Sequence, residues 1–164
     1  MGSEEKVAAK AAGQRGGRRS GLKEPQRAAE SAILASRLAM HGLHLTADLN
    51  GCRRDALAMV DADALRALCL GAADAAGLTP VGERFHKFAD HDGEPRGVTG
   101  VLLLAESHLA VHTWPELDAV TLDVYVCHRH ADNSARAEAA LAALLAAFAP
   151  RRVVRHAVQR GTRA

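Results

Sequence analysis

Residues 98–127 contain three runs of strand-forming sequence that follow one another at very short spacing. The run 98–105 is apolar enough for a buried strand, whereas 108–114 and 120–127 alternate between polar and apolar residues, as half-buried strands do. Connections this short join antiparallel neighbours more readily than parallel ones. The centre of the chain therefore predicts part of a mainly antiparallel sheet.

The flanking sequence adds two helices and further strands. Strand patterns occupy 43–50, 79–88 and 151–158, and helix patterns with apolar residues three and four apart occupy 53–76 and 132–147. This order predicts an α+β fold, a two-layer sandwich with both helices on one face of the sheet. The other face is left uncovered, which favours a dimer.

Composition narrows the class of partner. The 164 residues are 48% hydrophobic, enough to bury the core of one domain, and the net charge of +2 gives no case for binding nucleic acid. The sequence contains no run of roughly 18 apolar residues, so we expect no membrane span. Three cysteines without close pairing fit a reducing compartment, and we expect a cytoplasmic protein.

The N-terminal region differs from the rest of the chain. Residues 1–28 are rich in Gly, Ala, Lys, Arg and Gln and contain no aromatic residue. Such a segment buries too little apolar surface to offset the entropy lost on ordering. We therefore predict a disordered basic tail over residues 1–40 and a single folded domain over residues 41–164.

The segment 105–116, AESHLAVHTWPE, concentrates the chemistry-bearing residues. His108 and His112 are four residues apart, but Leu109 stands where a zinc-protease motif needs Glu, so no metal site is predicted. Ser107 also lacks the flanking glycines of a hydrolase nucleophile elbow. Spacing alone leaves open that Ser107 and His108 are ordinary strand residues.

A family resemblance goes further than spacing. The stretch GVTGVLLLAESHLAVHTWPE at 97–116, followed by LDVYVC at 122–127, resembles the self-processing region of the bacterial and archaeal S-adenosylmethionine decarboxylases, which are pyruvoyl enzymes. The likeness extends upstream through FHKF at 85–88 and HLTADLNGC at 44–52. It covers roughly residues 42–158.

The resemblance implies that the chain cleaves itself between Glu106 and Ser107. In such a family the serine hydroxyl attacks the preceding carbonyl, and the resulting ester eliminates and is hydrolysed to leave a pyruvoyl group at residue 107. The products would be the chains 1–106 and 107–164. The pyruvoyl group derived from Ser107 then serves as the cofactor and forms a Schiff base with the substrate amine.

Two further residues match family positions that assist processing. His112 matches the residue of proton transfer, a role that suits an imidazole titrating near neutrality. Thr99 matches a position that usually carries serine, so the hydroxyl is retained. If residues 107–113 form a strand, a turn or bulge at Ser107 is needed to bring His112 close.

The substrate residues follow from the same likeness. Cys127 matches the proton donor of decarboxylation, Phe88 and Trp114 match residues that stack on adenine, and Glu116 matches the residue that binds the ribose hydroxyls. The implied substrate is S-adenosylmethionine, and the product is the aminopropyl donor for spermidine. Members of this family form dimers of cleaved protomers with active sites near the interface.

Departures from the family pattern keep other functions open. Leu117, Asp118 and Ala119 replace an aromatic-rich turn, and the loop 89–97 is several residues longer than usual. Relatives decarboxylate ornithine or arginine, and Asp118 is placed to pair with an amine or guanidinium. The remaining alternative is an uncleaved, non-catalytic regulatory subunit.

Overall fold

The computed structural model describes residues 24–38, 41–105, 107–129 and 131–161, with side chains from residue 32 to residue 38 excluded. The chain divides into two units, residues 1–34 and 35–164, and the account below concerns the second unit unless α1 is named. The helices and strands, in chain order, are α1 (Glu24–Leu38), β1 (His41–Asn50), α2 (Ala62–Ala75), β2 (Pro80–Lys87), β3 (Val98–Leu104), β4 (Ser107–Trp114), β5 (Ala119–Cys127), α3 (Ser134–Phe148) and β6 (Arg152–Gly161).

Six strands form one sheet in the order β2-β3-β4-β5-β1-β6, and every neighbouring pair is antiparallel. β4 lies between β3 and β5, so both of its backbone edges are hydrogen-bonded. The prediction of an α+β fold with a mainly antiparallel sheet is confirmed.

One face of the sheet is packed against α2 and α3. Alternate residues of the central strands point to this side, because successive side chains of a strand point to opposite faces. These buried residues are Leu43, Leu45, Ala47 and Leu49 of β1, Val98, Leu102 and Leu104 of β3, Leu109 and Val111 of β4, and Val120, Leu122, Val124 and Val126 of β5. The two helices contribute Leu65, Cys69, Ala73, Leu141, Leu144 and Phe148. This is the predicted two-layer arrangement.

The opposite face, called the open face below, carries no helix of the second unit among the described residues. Polar and aromatic side chains lie along it, and most are only partly buried; they include His44, Thr46, Thr99, His108, His112, Thr121 and Tyr125. Leu103 and Val158 also lie on this face, and they are 49% and 47% exposed. Exposed apolar side chains on an uncovered sheet face are typical of an interaction surface.

Two predicted boundaries were wrong. The helix predicted over 53–76 begins only at Ala62, because the Asp61 carboxylate accepts a hydrogen bond from the Ala64 amide and caps the helix there. Residues ahead of the cap form a loop with a short 3-10 turn at Leu57–Met59.

The N-terminal region also differs from expectation. Residues 24–38 fall within the predicted tail, yet they form α1, a segment rich in the helix formers Ala, Leu, Arg and Glu. Residues 1–23, 39 and 40 lie outside the described residues. The predicted disorder there stays a prediction.

Candidate active site

Ser107 is the first residue of β4 and pairs across the β3–β4 turn with Leu104. Its hydroxyl oxygen accepts a hydrogen bond from the Cys127 backbone amide at 3.3 Å. The two predicted residues, 20 positions apart in sequence, are therefore neighbours at one end of the sheet. Glu106, the other side of the predicted cleavage bond, lies outside the described residues.

Cys127 ends β5 and is held by a residue that sequence reasoning did not select. The Asn133 side-chain amide donates to the Cys127 carbonyl at 2.8 Å, while the Cys127 amide donates to Ser107. Asn133 is the N-cap residue of α3 but makes no side-chain cap hydrogen bond. The sequence shows a polar residue at the start of this helix, but it does not show that the side chain binds the Cys127 carbonyl.

The other two cysteines lie away from Ser107 and are protonated near neutral pH. Burial raises the pKa of the Cys69 thiol to about 12. Burial, with the nearby Asp118 carboxylate, also raises the pKa of Cys52. Because only the thiolate is strongly nucleophilic, both behave as small buried apolar groups.

Thr99 and His112 meet at the other end of the sheet. They are register partners on β3 and β4, and Thr99 Oγ1 lies 2.7 Å from His112 Nδ1 in a hydrogen bond. This contact fixes the imidazole orientation and leaves Nε2 as the ring nitrogen available to another group. The two residues that the resemblance assigns to processing are thus in direct contact, and their roles stay predictions.

The Ser107 and His112 ends do not meet within one chain. The β3–β4 register runs without a shift from Leu104–Ser107 to Thr99–His112, so β4 has no bulge over these residues. Five residues of strand separate the two side chains by about 16 Å. The turn or bulge expected at Ser107 is absent from this stretch, and His112 does not approach Ser107 in cis.

Thr113 anchors the His112 end to the surrounding loops. Its buried hydroxyl accepts from the Val98 amide at 2.7 Å and donates to the Met59 carbonyl at 2.7 Å. Gly97 lies against it so closely that a Cβ there would be 1.8 Å from the Thr113 carbonyl oxygen. Only glycine fits this approach.

The two predicted adenine-stacking residues are partly exposed at this same end. Phe88 closes its loop with a hydrogen bond from its amide to the Gly97 carbonyl at 3.0 Å, and Trp114 directly follows Thr113. Their exposed fractions are 47% and 42%. Large aromatic side chains left this accessible are suited to contact a flat ligand.

Each predicted acidic residue after Trp114 has an arginine partner. Glu116 Oε1 lies 3.5 Å from Arg96 Nη1, and Asp118 pairs with Arg54. Asp118 adopts a left-handed backbone conformation, φ 50°, and its side chain lines a cavity of about 350 Å³. The Arg54 contact involves one oxygen of the Asp118 carboxylate.

A cluster of rings covers the open face next to Ser107. His108 lies between Tyr125 and His44, with ring centroids 5.5 and 6.2 Å away. His44 Nε2 is 3.1 Å from Asp123 Oδ1. Burial, followed by the nearby His44, lowers the pKa of His108, because both penalise its protonated form.

The described residues contain neither a metal-binding cluster nor a membrane-spanning helix. No group of three or more His, Cys, Asp or Glu side chains among them is arranged to hold a metal ion. Of the helices described, none is long and apolar enough to cross a membrane.

Comparison with known proteins identifies the family of this chain. The sequence model of the S-adenosylmethionine decarboxylase family matches residues 43–161. The S-adenosylmethionine decarboxylase proenzyme of Aquifex aeolicus is 37% identical over 120 residues, which cover 73% of this chain and 81% of that protein. The proenzyme of Archaeoglobus fulgidus is 33% identical over 73% of this chain and 97% of its own length.

The fold is shared with a solved relative. The crystal structure of the adenosylmethionine decarboxylase from Aquifex aeolicus matches with a TM-score of 0.63 and 35% identity, and it covers 74% of this chain and 91% of that one.

Proposed function

This chain belongs to the S-adenosylmethionine decarboxylase family, and from that premise we propose that it is a self-processing, pyruvoyl-dependent decarboxylase of S-adenosylmethionine. Its product is the aminopropyl donor for spermidine. The domain that performs this reaction is residues 41–164. The proenzyme is cleaved between Glu106 and Ser107 into chains 1–106 and 107–164.

The observation that carries the proposal is the contact between Ser107 and Cys127. The residue whose hydroxyl attacks the Glu106 carbonyl and the residue whose thiol returns a proton to the product lie on adjacent strands, where the Cys127 backbone amide donates to the Ser107 hydroxyl at 3.3 Å. The β3–β4 ladder pairs residue 107 with Leu104, and the β4–β5 ladder begins at the next residue, His108. Precise placement of this kind is what a weak hydroxyl nucleophile requires.

The residues at this position fit a pyruvoyl group. Residue 107 begins a strand, so a new chain terminus there remains anchored by the ladder, and Cys127 is buried next to it. A pyruvoyl group at residue 107 supplies the carbonyl that takes up the substrate amine and the electron sink for loss of carbon dioxide. Cys127 supplies the proton that replaces the lost carboxyl group, and Asn133 keeps the Cys127 backbone in place.

His112 acts on Ser107 of a second copy. The separation of about 16 Å along β4 rules out direct proton transfer within one chain. Two copies packed through their open faces in antiparallel orientation place the His112 end of each β4 opposite the Ser107 end of the other. The uncovered face and the exposed Leu103 and Val158 support this dimer.

Substrate recognition is assigned to the His112 end. Phe88 and Trp114 stack on adenine, and Glu116 accepts hydrogen bonds from the ribose hydroxyls. Asp118, on which an ornithine or arginine substrate would depend, already has Arg54 as a partner on one carboxylate oxygen. This favours S-adenosylmethionine over the two alternative amino acids.

Intact mass under denaturing conditions tests the proposal. We expect two fragments split at 106/107, the second of which carries a carbonyl-reactive N-terminus, and an uncleaved Ser107→Ala variant. Ser134→Ala is the matched control, because its hydroxyl contacts His128 rather than Cys127, and it should be cleaved like the wild type. Release of carbon dioxide from S-adenosylmethionine, ornithine and arginine then identifies the substrate.

Either of two results would contradict the proposal. A wild-type chain that stays whole after long incubation would leave the non-catalytic regulatory subunit as the better explanation. A cleaved chain that releases carbon dioxide only from ornithine or arginine would keep the processing mechanism and overturn the substrate.

A further inference from the structure

The loop between β2 and β3 is itself a small hairpin. His91 and Glu94 exchange backbone hydrogen bonds of 3.1 and 3.0 Å, and Asp92 and Gly93 both have positive φ, as a tight two-residue turn requires. The bond from Phe88 to Gly97 closes the base of the hairpin. The segment 88–97, called the 88–97 hairpin below, is therefore a defined structure.

The 88–97 hairpin places Arg96 next to Glu116. Lys87, together with the Arg96 backbone amide, holds the pKa of the Asp90 carboxyl below its usual range, so Asp90 ties the two sides of the hairpin together. The Arg96 guanidinium then reaches Glu116 at 3.5 Å. Both side chains are about one-third exposed, with Arg96 at 31% and Glu116 at 37%.

The Arg96 contact leaves most of the Glu116 carboxylate available. It involves one guanidinium nitrogen and one carboxylate oxygen, whereas an ionised carboxylate accepts about four hydrogen bonds. A fixed carboxylate with free lone pairs is suited to bind two adjacent hydroxyl groups. A carboxylate without a partner would lose side-chain entropy each time it bound them.

We propose that Arg96 is a positioning residue that holds Glu116 in the orientation that binds the substrate ribose. The same hairpin carries Phe88 at its base, so one segment sets both the adenine-stacking and the ribose-binding side chains. This inference rests on the proposed function, because it takes Glu116 as the ribose ligand.

Binding of a nucleoside to the purified protein provides the test. The probe is 5′-methylthioadenosine, an uncharged molecule with adenine, ribose and a thioether, titrated by calorimetry into wild type and Arg96→Gln. We expect the Kd to rise about three- to fivefold, the upper part of the range for loss of one partly exposed ion pair. With the 2′-deoxy analogue, the rise should shrink to less than about twofold, because Glu116 then has one hydroxyl fewer to bind.

Two controls separate positioning from general damage. Arg155→Gln removes an arginine of similar exposure from its ion pair with Glu138 on α3, and its Kd should match that of the wild type. In the Glu116→Gln background, Arg96→Gln should cause no further loss. An unchanged or tighter Kd for Arg96→Gln, or an equal loss for both nucleosides, would overturn the inference.

The failure of this inference and that of the proposed function are distinguishable. Cleavage at 106/107 and release of carbon dioxide from S-adenosylmethionine test the function and do not depend on Arg96. If both occur while Arg96→Gln binds the nucleoside like the wild type, only the role of Arg96 is wrong. If wild type fails to bind the nucleoside at all, the role of Arg96 is also wrong, whatever the cleavage assay shows.

Discussion

The two ends of β4 differ in how firmly the surrounding structure holds them. At the Ser107 end, the reactive hydroxyl accepts one hydrogen bond from the described residues, a long one of 3.3 Å from the Cys127 amide. At the His112 end, Thr99 fixes the imidazole at 2.7 Å, and the Thr113 hydroxyl makes two more bonds of 2.7 Å to neighbouring segments.

This difference matches the two tasks. The atoms at residue 107 must rearrange when an amide becomes an ester and then breaks, so a tight network there would oppose the change. The groups at the His112 end do not change covalently, and their usefulness depends on constant orientation. The two ends lie about 16 Å apart on one strand, and in the proposed dimer a second copy brings them together.

The largest expected effect is complementation between two inactive variants. Ser107→Ala lacks the nucleophile and His112→Ala lacks the imidazole, so neither should be cleaved efficiently alone. In mixed dimers, the intact His112 of one chain faces the intact Ser107 of the other. On random pairing, about half of the His112→Ala chains should be cleaved after co-expression, as measured by intact mass.

A matched mixture tests the origin of that cleavage. In this mixture, the double variant Ser107→Ala/His112→Ala takes the place of Ser107→Ala. No chain then has an intact His112, and cleavage should be abolished. If the single-variant mixture remained whole, His112 would not act across an interface, and the comparison between the two ends would lose its functional meaning.

Thr113→Val should give the next largest effect and show that the His112 end is the firmer one. The valine leaves the buried Val98 amide and Met59 carbonyl without a partner, and the free energy of unfolding should fall by about 2 to 4 kcal/mol. Asn133→Ala, which removes the bond to Cys127 at the other end, should cost only about 1 kcal/mol.

Urea unfolding at one protein concentration provides both values, with Ser107→Ala as the background so that the chain stays whole. Thr46→Val is the control, since this half-buried threonine is on the open face and the same substitution there should change stability by less than about 0.5 kcal/mol. Equal losses for Thr113→Val and Asn133→Ala would show that the ends are held alike.

The smallest expected effect is a loss of folding stability at acidic pH, and it should arise from His108, near the Ser107 end. Burial, His44 and Arg160 lower the pKa of His108, while Asp123 opposes them. The unfolded chain therefore binds a proton at a higher pH than the folded chain does. This contribution to stability is complete above about pH 6.5 and is lost as the pH falls below it.

Unfolding measured at several pH values between about 7.5 and 5 tests this on the Ser107→Ala background. His108→Gln should reduce the loss of stability on acidification. His156→Gln, which removes a histidine of β6 from outside the ring cluster, should leave the loss as it is in the parent. A His108→Gln variant with the same acid sensitivity as its parent would contradict the prediction.

Sequence reasoning predicted the strands well because alternation has a period of two, which side chains on a half-buried sheet must follow. β3, β4 and β5 lie within a residue or two of their predicted positions. It missed the start of α2, since residues 53–61 also show apolar spacing and only the Asp61 cap ends the loop.

The site was predicted as a set of residues but not as an arrangement. Ser107 and Cys127 are far apart in sequence and adjacent in space, which the family resemblance implied. Ser107 and His112 are close in sequence and distant in space, because a strand extends the chain. The pair Arg96–Glu116 depends on how the 88–97 hairpin folds, and no periodic pattern reports that.

The strand order has a consequence for the molecule after the proposed cleavage at 106/107. Residues 1–106 contain β1, β2 and β3, and residues 107–164 contain β4, β5 and β6. In the order β2-β3-β4-β5-β1-β6, the strands of the two products are interleaved in one sheet. Three of the five pairs of neighbouring strands, β3/β4, β5/β1 and β1/β6, join different chains. The sheet is thus formed while the chain is still intact. Fragments that had separated would have to find each other in a slow bimolecular reaction to form the same strand order again.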